Sequence, residues 1–366
     1  MPDSETSSQL KDWFDEARYR AIATQLSQIA GGFDRKRFLK LALEGLEDRS
    51  LMERVRQTAV SVEGSLPGDF RSKVGVLQKL APRIEHGFIA IFLCDFVAQY
   101  GLDDPEFSLK ALREFTCFGS AEFAIRPFLV RDQEKTLAQM LRWTRDKNEH
   151  VRRLASEGSR PRLPWGLRLQ SLVRDPSPLA PILEALKQDE ALYVRKSVAN
   201  SLNDITKDHP EWVLARLKTW DLKSAPVGWI AKRACRTLIK RGHPETLKLF
   251  GFGGQVAVKA SFELEPARLS LGGVLALKAQ ITSLARKPQR LSVDYVVHYV
   301  KSNGKSSPKV FKWSEVDLAP GATATLLKRQ TIRDFTTRTH FAGKHVIGLQ
   351  INGQELATAA FFLTKG

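Results

Sequence analysis

The sequence predicts two domains of opposite kind: a right-handed array of stacked α-helical repeats, then an antiparallel β-sandwich of immunoglobulin-like type. Three observations carry this. Through residues 1–250 apolar residues recur at spacings of three and four, as in FLKLALEGL and FIAIFLCDFVAQY, the spacing that lines one face of a helix. Inside that half VRRLASEG (151–158) aligns with VRKSVANS (194–201) at an offset of 43. Past the glycine-rich FGFGGQ (250–255) the texture changes to short alternating segments.

The helical half is repetitive in more than its apolar spacing. At the 43-residue offset Asp146 falls on Asp189, each five residues before a Val-Arg pair. A third copy, IAKRACRTL (230–238), follows 36 residues after the second. The second and third copies close with His-Pro-Glu turns at His209 and His243, so these histidines read as turn formers rather than a catalytic pair. A period near forty with two helices per unit is the signature of HEAT-like repeats, which bury a shared core by stacking. We assign 1–250 to the array, 251–256 to a linker and 257–366 to the second domain. Gly251, Gly253 and Gly254 lack the strand–turn–helix context of a nucleotide-binding loop.

The second domain reads as strands. VAVKASFEL, LALKAQITS, LSVDYVVHYVK, ATLLKRQTI, KHVIGLQIN and TAAFFLT are separated by turns such as SNGKSS, APGA and NGQE. Six or so short alternating runs in about 110 residues predict an antiparallel sandwich. The domain contains no cysteine, which excludes the disulfide-bonded immunoglobulin type.

Bulk composition narrows the function. With 43% hydrophobic and 27% charged residues the chain is globular. No apolar run approaches the length of a membrane span. MPDSETSSQL resembles neither a signal nor a transit peptide, which predicts a cytoplasmic protein. Cys94, Cys117 and Cys235 are far apart among apolar neighbours, the setting of buried reduced thiols. Nothing has metal-ligand spacing, so neither a metal nor a cofactor is expected.

The net charge is +17, and its distribution is uneven. Residues 1–100 hold 14 basic and 14 acidic side chains; 101–254 hold 27 and 19; 255–366 hold 16 and 7. The excess is therefore 0, +8 and +9, and a polyanion explains it most simply. The pairs Arg152/Arg153, Arg195/Lys196 and Lys232/Arg233 recur in successive units, predicting a stripe along the array that suits a duplex phosphate backbone. In the second domain TIRDFTTRTHFAGKHV (331–346) puts Arg333, Arg338, His340 and Lys344 in an expected loop that enters a groove.

RRLASEGSRPRLPW (152–165) gathers four arginines, Glu157 and Trp165 around a helix end closed by Gly158. This string, FGSAEFAIRPFL (118–129) and VANSLNDITKDHPEW (198–212) resemble the AlkC/AlkD-type HEAT-like-repeat DNA glycosylases, within them the AlkC branch. The resemblance covers most of residues 100–250, and the β-domain is similar to the immunoglobulin-like domain of a subset of AlkC proteins. It implies excision of 3-methyladenine and 3-methylcytosine from double-stranded DNA by hydrolysis of the N-glycosidic bond, without base flipping. By the same analogy Glu122, Glu157, Trp165 and Asp204 lie near the lesion's deoxyribose, while Arg126, Arg160 and Arg162 join the basic pairs in holding DNA. AlkD members use an Asp flanked by tryptophans; here the acid is a glutamate and Trp165 is the one evident aromatic partner.

These residue types suit the reaction. An N3-alkylated base is cationic and leaves neutral, so the costly event is positive charge growing on the sugar. Glycosidases meet such charge with carboxylates, and an indole face adds attraction for a cation. The 152–165 string then reads as Arg152 and Arg153 gripping phosphates so that Glu157 can stand against the sugar. The residues alone also fit a non-catalytic nucleic-acid-binding scaffold, because repeat arrays often bind without catalysing. A curved array with a β-domain clamp can surround a duplex unaided, which predicts a monomer.

Overall fold

The structure, a computed structural model, describes residues 10–85, 87–253, 255–300, 306–334 and 339–365. The helices run α1 (Glu16–Ile29), α2 (Arg35–Leu43), α3 (Leu51–Ser65), α4 (Phe70–Leu80), α5 (Ile91–Tyr100), α6 (Pro105–Phe115), α7 (Arg126–Arg131) and α8 (Gln133–Trp143). They continue with α9 (Glu149–Glu157), α10 (Gln170–Arg174), α11 (Ala180–Leu186), α12 (Leu192–Ile205), α13 (Pro210–Thr219), α14 (Ala225–Ala234), α15 (Arg236–Lys240) and α16 (Pro244–Leu249).

Local chemistry sets many of their starts. Asp15, Asp34 and Asp69 accept from the backbone N–H three residues on, and Ser50 with Glu53 forms a capping box. His209 and His243 occupy the cap positions of α13 and α16, each followed by a proline at the first helical position. One apolar core runs from Phe14 to Phe252 across the stacked helices.

The 43-residue repeat is visible as repeated bonding. Arg152 Nη1 donates to the Asp146 and Lys147 carbonyls at 3.0 and 3.0 Å. At the equivalent place Arg195 Nη1 donates to the Asp189 and Glu190 carbonyls at 2.7 and 2.7 Å. Between units an arginine reaches an acid at the following turn: Arg71 to Asp104 (2.6 Å), Arg113 to Asp146 (2.5 Å) and Arg152 to Asp189 (2.6 Å). The aligned aspartates therefore serve as inter-repeat ties.

The second domain comprises β1 (Val258–Glu265), β2 (Arg268–Ser270), β3 (Val274–Ser283), β4 (Gln289–Val300), β5 (Ser306–Leu318), β6 (Thr323–Thr331), β7 (Gly343–Ile351) and β8 (Gln354–Thr364). One sheet has the order β1-β3-β6, the other β2-β8-β7-β4-β5. All described pairings are antiparallel except β2–β8, which is parallel and departs from the uniformly antiparallel expectation. In β3 Leu275, Leu277, Ala279 and Ile281 alternate into the core. By contrast β4 is buried continuously from Leu291 to Val297. Its Leu291, Val293, Tyr295 and Val297 join the sandwich core, while its other face adjoins the helices.

That second contact joins the domains. Gln350 Nε2 donates to the Lys240 carbonyl at 2.8 Å, Lys240 Nζ to the Val310 carbonyl at 2.9 Å, and Lys232 pairs with Glu315 at 2.5 Å. Within the 251–256 segment Phe252 is buried, and Asn352 Nδ2 donates to its carbonyl at 2.9 Å. Among the described residues no helix is long and apolar enough to cross a membrane.

Candidate active site

Helix α9 delivers the central acid. Asn148 caps its start by accepting from the His150 N–H, Val151, Leu154 and Ala155 bury its inner face, and Glu157 is its last residue. The helix end lies against the 121–125 turn, and Gly158 permits this. A Cβ there would fall 2.5 Å from Ile125 Cγ2 and 2.9 Å from the Leu154 carbonyl. The close approach brings the Glu122 segment beside Glu157.

The result is an alternating chain of charges. Arg153 pairs with Glu122 at 2.7 Å and reaches Glu157 at 3.6 Å. Arg160 pairs with Glu157 at 2.6 Å and with Asp204 at 2.9 Å, and Lys207 reaches Asp204 at 3.2 Å. Glu157, Arg160 and Asp204 are buried, Glu122 and Arg153 largely so. Burial disfavours the Arg153 and Arg160 cations, but the facing carboxylates outweigh it and hold both guanidinium pKa values above the usual arginine range.

Trp165 stands apart from that chain in two ways. It is 63% exposed, and its backbone φ of 63° lies in the left-handed region that bulky residues avoid. Such an outlier persists only where its surroundings impose it. Arg126 fastens the segment that carries it. Its Nη1 donates to the Gly158 carbonyl at 2.8 Å and its Nε to the Leu167 carbonyl, closing both ends of the 158–167 segment.

Several side chains expected to contact DNA have partners within the protein instead. Arg126 has no exposed surface, so it cannot meet a phosphate; burial pushes its guanidinium pKa down to about 10, and nearby Arg160 adds to this. Arg152 is buried in its bonds to Asp189 and the 146 and 147 carbonyls. Arg153 and Arg160 are committed to carboxylates, and Arg195 to backbone. Arg162 is bidentate to Asp208 at 2.9 and 2.9 Å, and Lys232 is tied to Glu315. The first arginine of two of these pairs is thus engaged inside the repeat rather than along a surface stripe. Lys196 and Arg233 remain on the surface, Arg233 above the Trp229 ring.

In the β-domain Arg333 is exposed just beyond β6, and Arg338 lies outside the described residues. Lys344 is exposed but sits within β7 opposite Phe362, not in a loop. His340 is buried, its N–H donating to Asp334 Oδ1 at 2.6 Å, which removes it from a groove-entering tip. Among the described residues no three His, Cys, Asp or Glu side chains converge as metal ligands.

Three neighbours were missed by the sequence reading. The Tyr193 ring lies beneath Arg153, 4.5 Å from the guanidinium carbon, and Ser120 Oγ donates to Glu122 at 2.8 Å. Arg236 donates to Asn200 Oδ1 at 3.3 Å beside the Asp204 helix, where burial and then Arg233 depress its pKa. A signal for Tyr193 existed: at the 43-residue offset it is equivalent to His150, and the two rings meet edge-on at 5.4 Å. A cleft of about 240 Å³ opens beside the cluster, lined by Phe88, Phe118, Ser120, His150, Arg153 and Tyr193 among others.

Comparison with known proteins places this arrangement. Residues 95–238 match the family described as DNA alkylation repair enzyme, and 258–365 match the C-terminal Ig-like domain described for the uncharacterised protein YhaZ. The solved structure of Pseudomonas fluorescens alkylpurine DNA glycosylase AlkC, bound to DNA containing an abasic site analog, superposes with a TM-score of 0.93. It is 47% identical over 97% of this chain and 99% of that one. The chain belongs to the AlkC-type DNA glycosylase family. YhaZ of Bacillus subtilis (strain 168) is 41% identical over 94% of this chain and 96% of its own. The AlkC-type organisation, repeats followed by an Ig-like domain, matches the element order described above.

Proposed function

We propose that this AlkC-type protein is a monofunctional glycosylase of base excision repair. It hydrolyses the N-glycosidic bond of N3-alkylated bases, 3-methyladenine and 3-methylcytosine, in duplex DNA, as a monomer and without swinging the base into a pocket. The observation that carries this reading is the chain Glu122–Arg153–Glu157–Arg160–Asp204–Lys207, in which three carboxylates are interleaved with three cations.

The cations give the arrangement its use. Bare carboxylates would be repelled by a phosphate backbone; interleaved with arginines they form a locally neutral group that can approach it. Their oxygens are then fixed in advance, which is how charge growing in a transition state is stabilised most effectively. As the cationic base departs, positive charge moves to the deoxyribose. Glu122 and Glu157 supply the opposing charge, one of them orienting the attacking water, and the Trp165 face adds attraction for the ring cation. Asp204 keeps Arg160 against Glu157. Arg126, as the clasp of the 158–167 segment, supports Trp165 from within.

The test is incubation with duplex DNA carrying 3-methyladenine, reading free base and abasic sites. Release by the native protein and its loss in Glu157→Gln supports the reading. Tight binding with no base released would instead identify a non-catalytic scaffold.

A further inference from the structure

We propose that Tyr193 is a positioning residue for the excision reaction, holding Arg153 where it bridges Glu122 and Glu157. This rests on the glycosylase reading above. Among the described residues Arg153 is the one cation paired with both glutamates, at 2.7 and 3.6 Å. Besides the two carboxylates, three things set its place: its own helix, the Ser120 hydroxyl at 3.1 Å, and the Tyr193 ring at 4.5 Å. The first two leave the guanidinium free to pivot towards one acid or the other. A flat aromatic face beneath it fixes its plane.

Tyr193 is itself held. It lies in the first turn of α12, and His150, its counterpart one repeat earlier, packs edge-on against it at 5.4 Å. It therefore carries the stacking of two repeats into the geometry of the acids. Its ring is the working part: no hydrogen bond of the hydroxyl appears among the described residues, and the side chain, though 38% exposed, is covered enough that partial burial raises the hydroxyl pKa. The side chain's ring contacts are with Arg153 and His150, so its effect on the acids runs through that arginine.

The experiment compares the wild type, Tyr193→Phe and Tyr193→Leu in single-turnover release of 3-methyladenine, with affinity for duplex DNA containing an abasic-site analogue measured alongside. A lost aromatic seat predicts a rate about tenfold lower in Tyr193→Leu, with affinity changed less than about twofold, and recovery to within about twofold of wild type in Tyr193→Phe. Equal losses in the Phe and Leu variants overturn the proposal, as does an unchanged rate in Tyr193→Leu. Should Tyr193→Leu fail to fold, the Phe variant and Tyr193→His, which keeps a ring face, decide: both must retain activity. A wild-type protein that releases no base overturns the glycosylase reading itself, and is distinguished from the other failures by the absence of any rate to compare.

Discussion

Arg152 and Asp189 meet in a bidentate pair, with Nε and Nη2 donating at 2.6 and 3.0 Å to the two carboxylate oxygens. Both groups are buried between successive repeats. Removing one partner of such a pair strands the other and costs about 3–5 kcal/mol. Asp189→Asn should accordingly lose stability of about that size in urea denaturation, while the salt dependence of DNA binding stays unchanged. A stable variant with a steeper salt slope would return Arg152 to the phosphate contacts.

The acids should separate by role. Glu122→Gln and Glu157→Gln should each slow single-turnover release of 3-methyladenine by about 10²–10³, the size of one preorganised electrostatic group. Asp204→Asn, one pair further along the chain, should slow it by about tenfold. Near-normal rates in both glutamine variants would remove the mechanism.

Trp165 holds a strained backbone and loses little packing when removed, being 63% exposed. Trp165→Gly should raise the unfolding free energy by about 1 kcal/mol, since glycine adopts φ of 63° freely. The same change should cut the excision rate. A destabilised variant would show that the indole packs more than its exposure implies.

Surface cations should govern the salt dependence. Lys196→Gln, at an exposed site on the Asp204 helix, should reduce the slope of log K against log salt by about 0.9, the signature of one phosphate contact. Removing 255–366, which carries +9, should weaken binding and flatten the slope further. A truncated protein with native affinity would take DNA contact away from the β-domain.

The domain junction should respond to pH. Asp294 is completely buried, neither carboxylate oxygen has a well-formed hydrogen bond among the described residues, and burial raises its pKa against the pull of Lys312, Lys240 and the adjacent Gln350 amide. A raised carboxyl pKa means the folded state binds the proton more tightly. Stability is thus lost as pH climbs from the unfolded value near 4 through the folded one. Asp294→Asn should be more stable than wild type at pH 7, by about 1 kcal/mol, and the gain should vanish below about pH 4. A gain independent of pH would exclude ionisation as its cause.

Much of this was legible in the chain. The helical period, the change of texture near residue 250 and the 43-residue offset each report a local rule, because helices and strands bury faces at fixed spacings. Glu157 and Trp165 lie in one unusual string, and the likeness of three such strings to AlkC-type proteins pointed to the acids. What could not be read was the destination of each arginine. Arg152 and Arg153 are adjacent and chemically identical, yet a helix turns successive residues by about 100°, so one enters the repeat seam and the other meets the glutamates. The sequence by itself determined the two architectures, the repeat and the charge excess, all properties of near neighbours or of sums. Only the tertiary structure decided which cations are spent inside the protein and that Arg126 clasps the Trp165 segment. The pairings Arg152–Asp189, Arg153–Glu122 and Arg126–Leu167 each join residues more than thirty positions apart, and burying a charge is costly enough that such distant partners are drawn in to offset it.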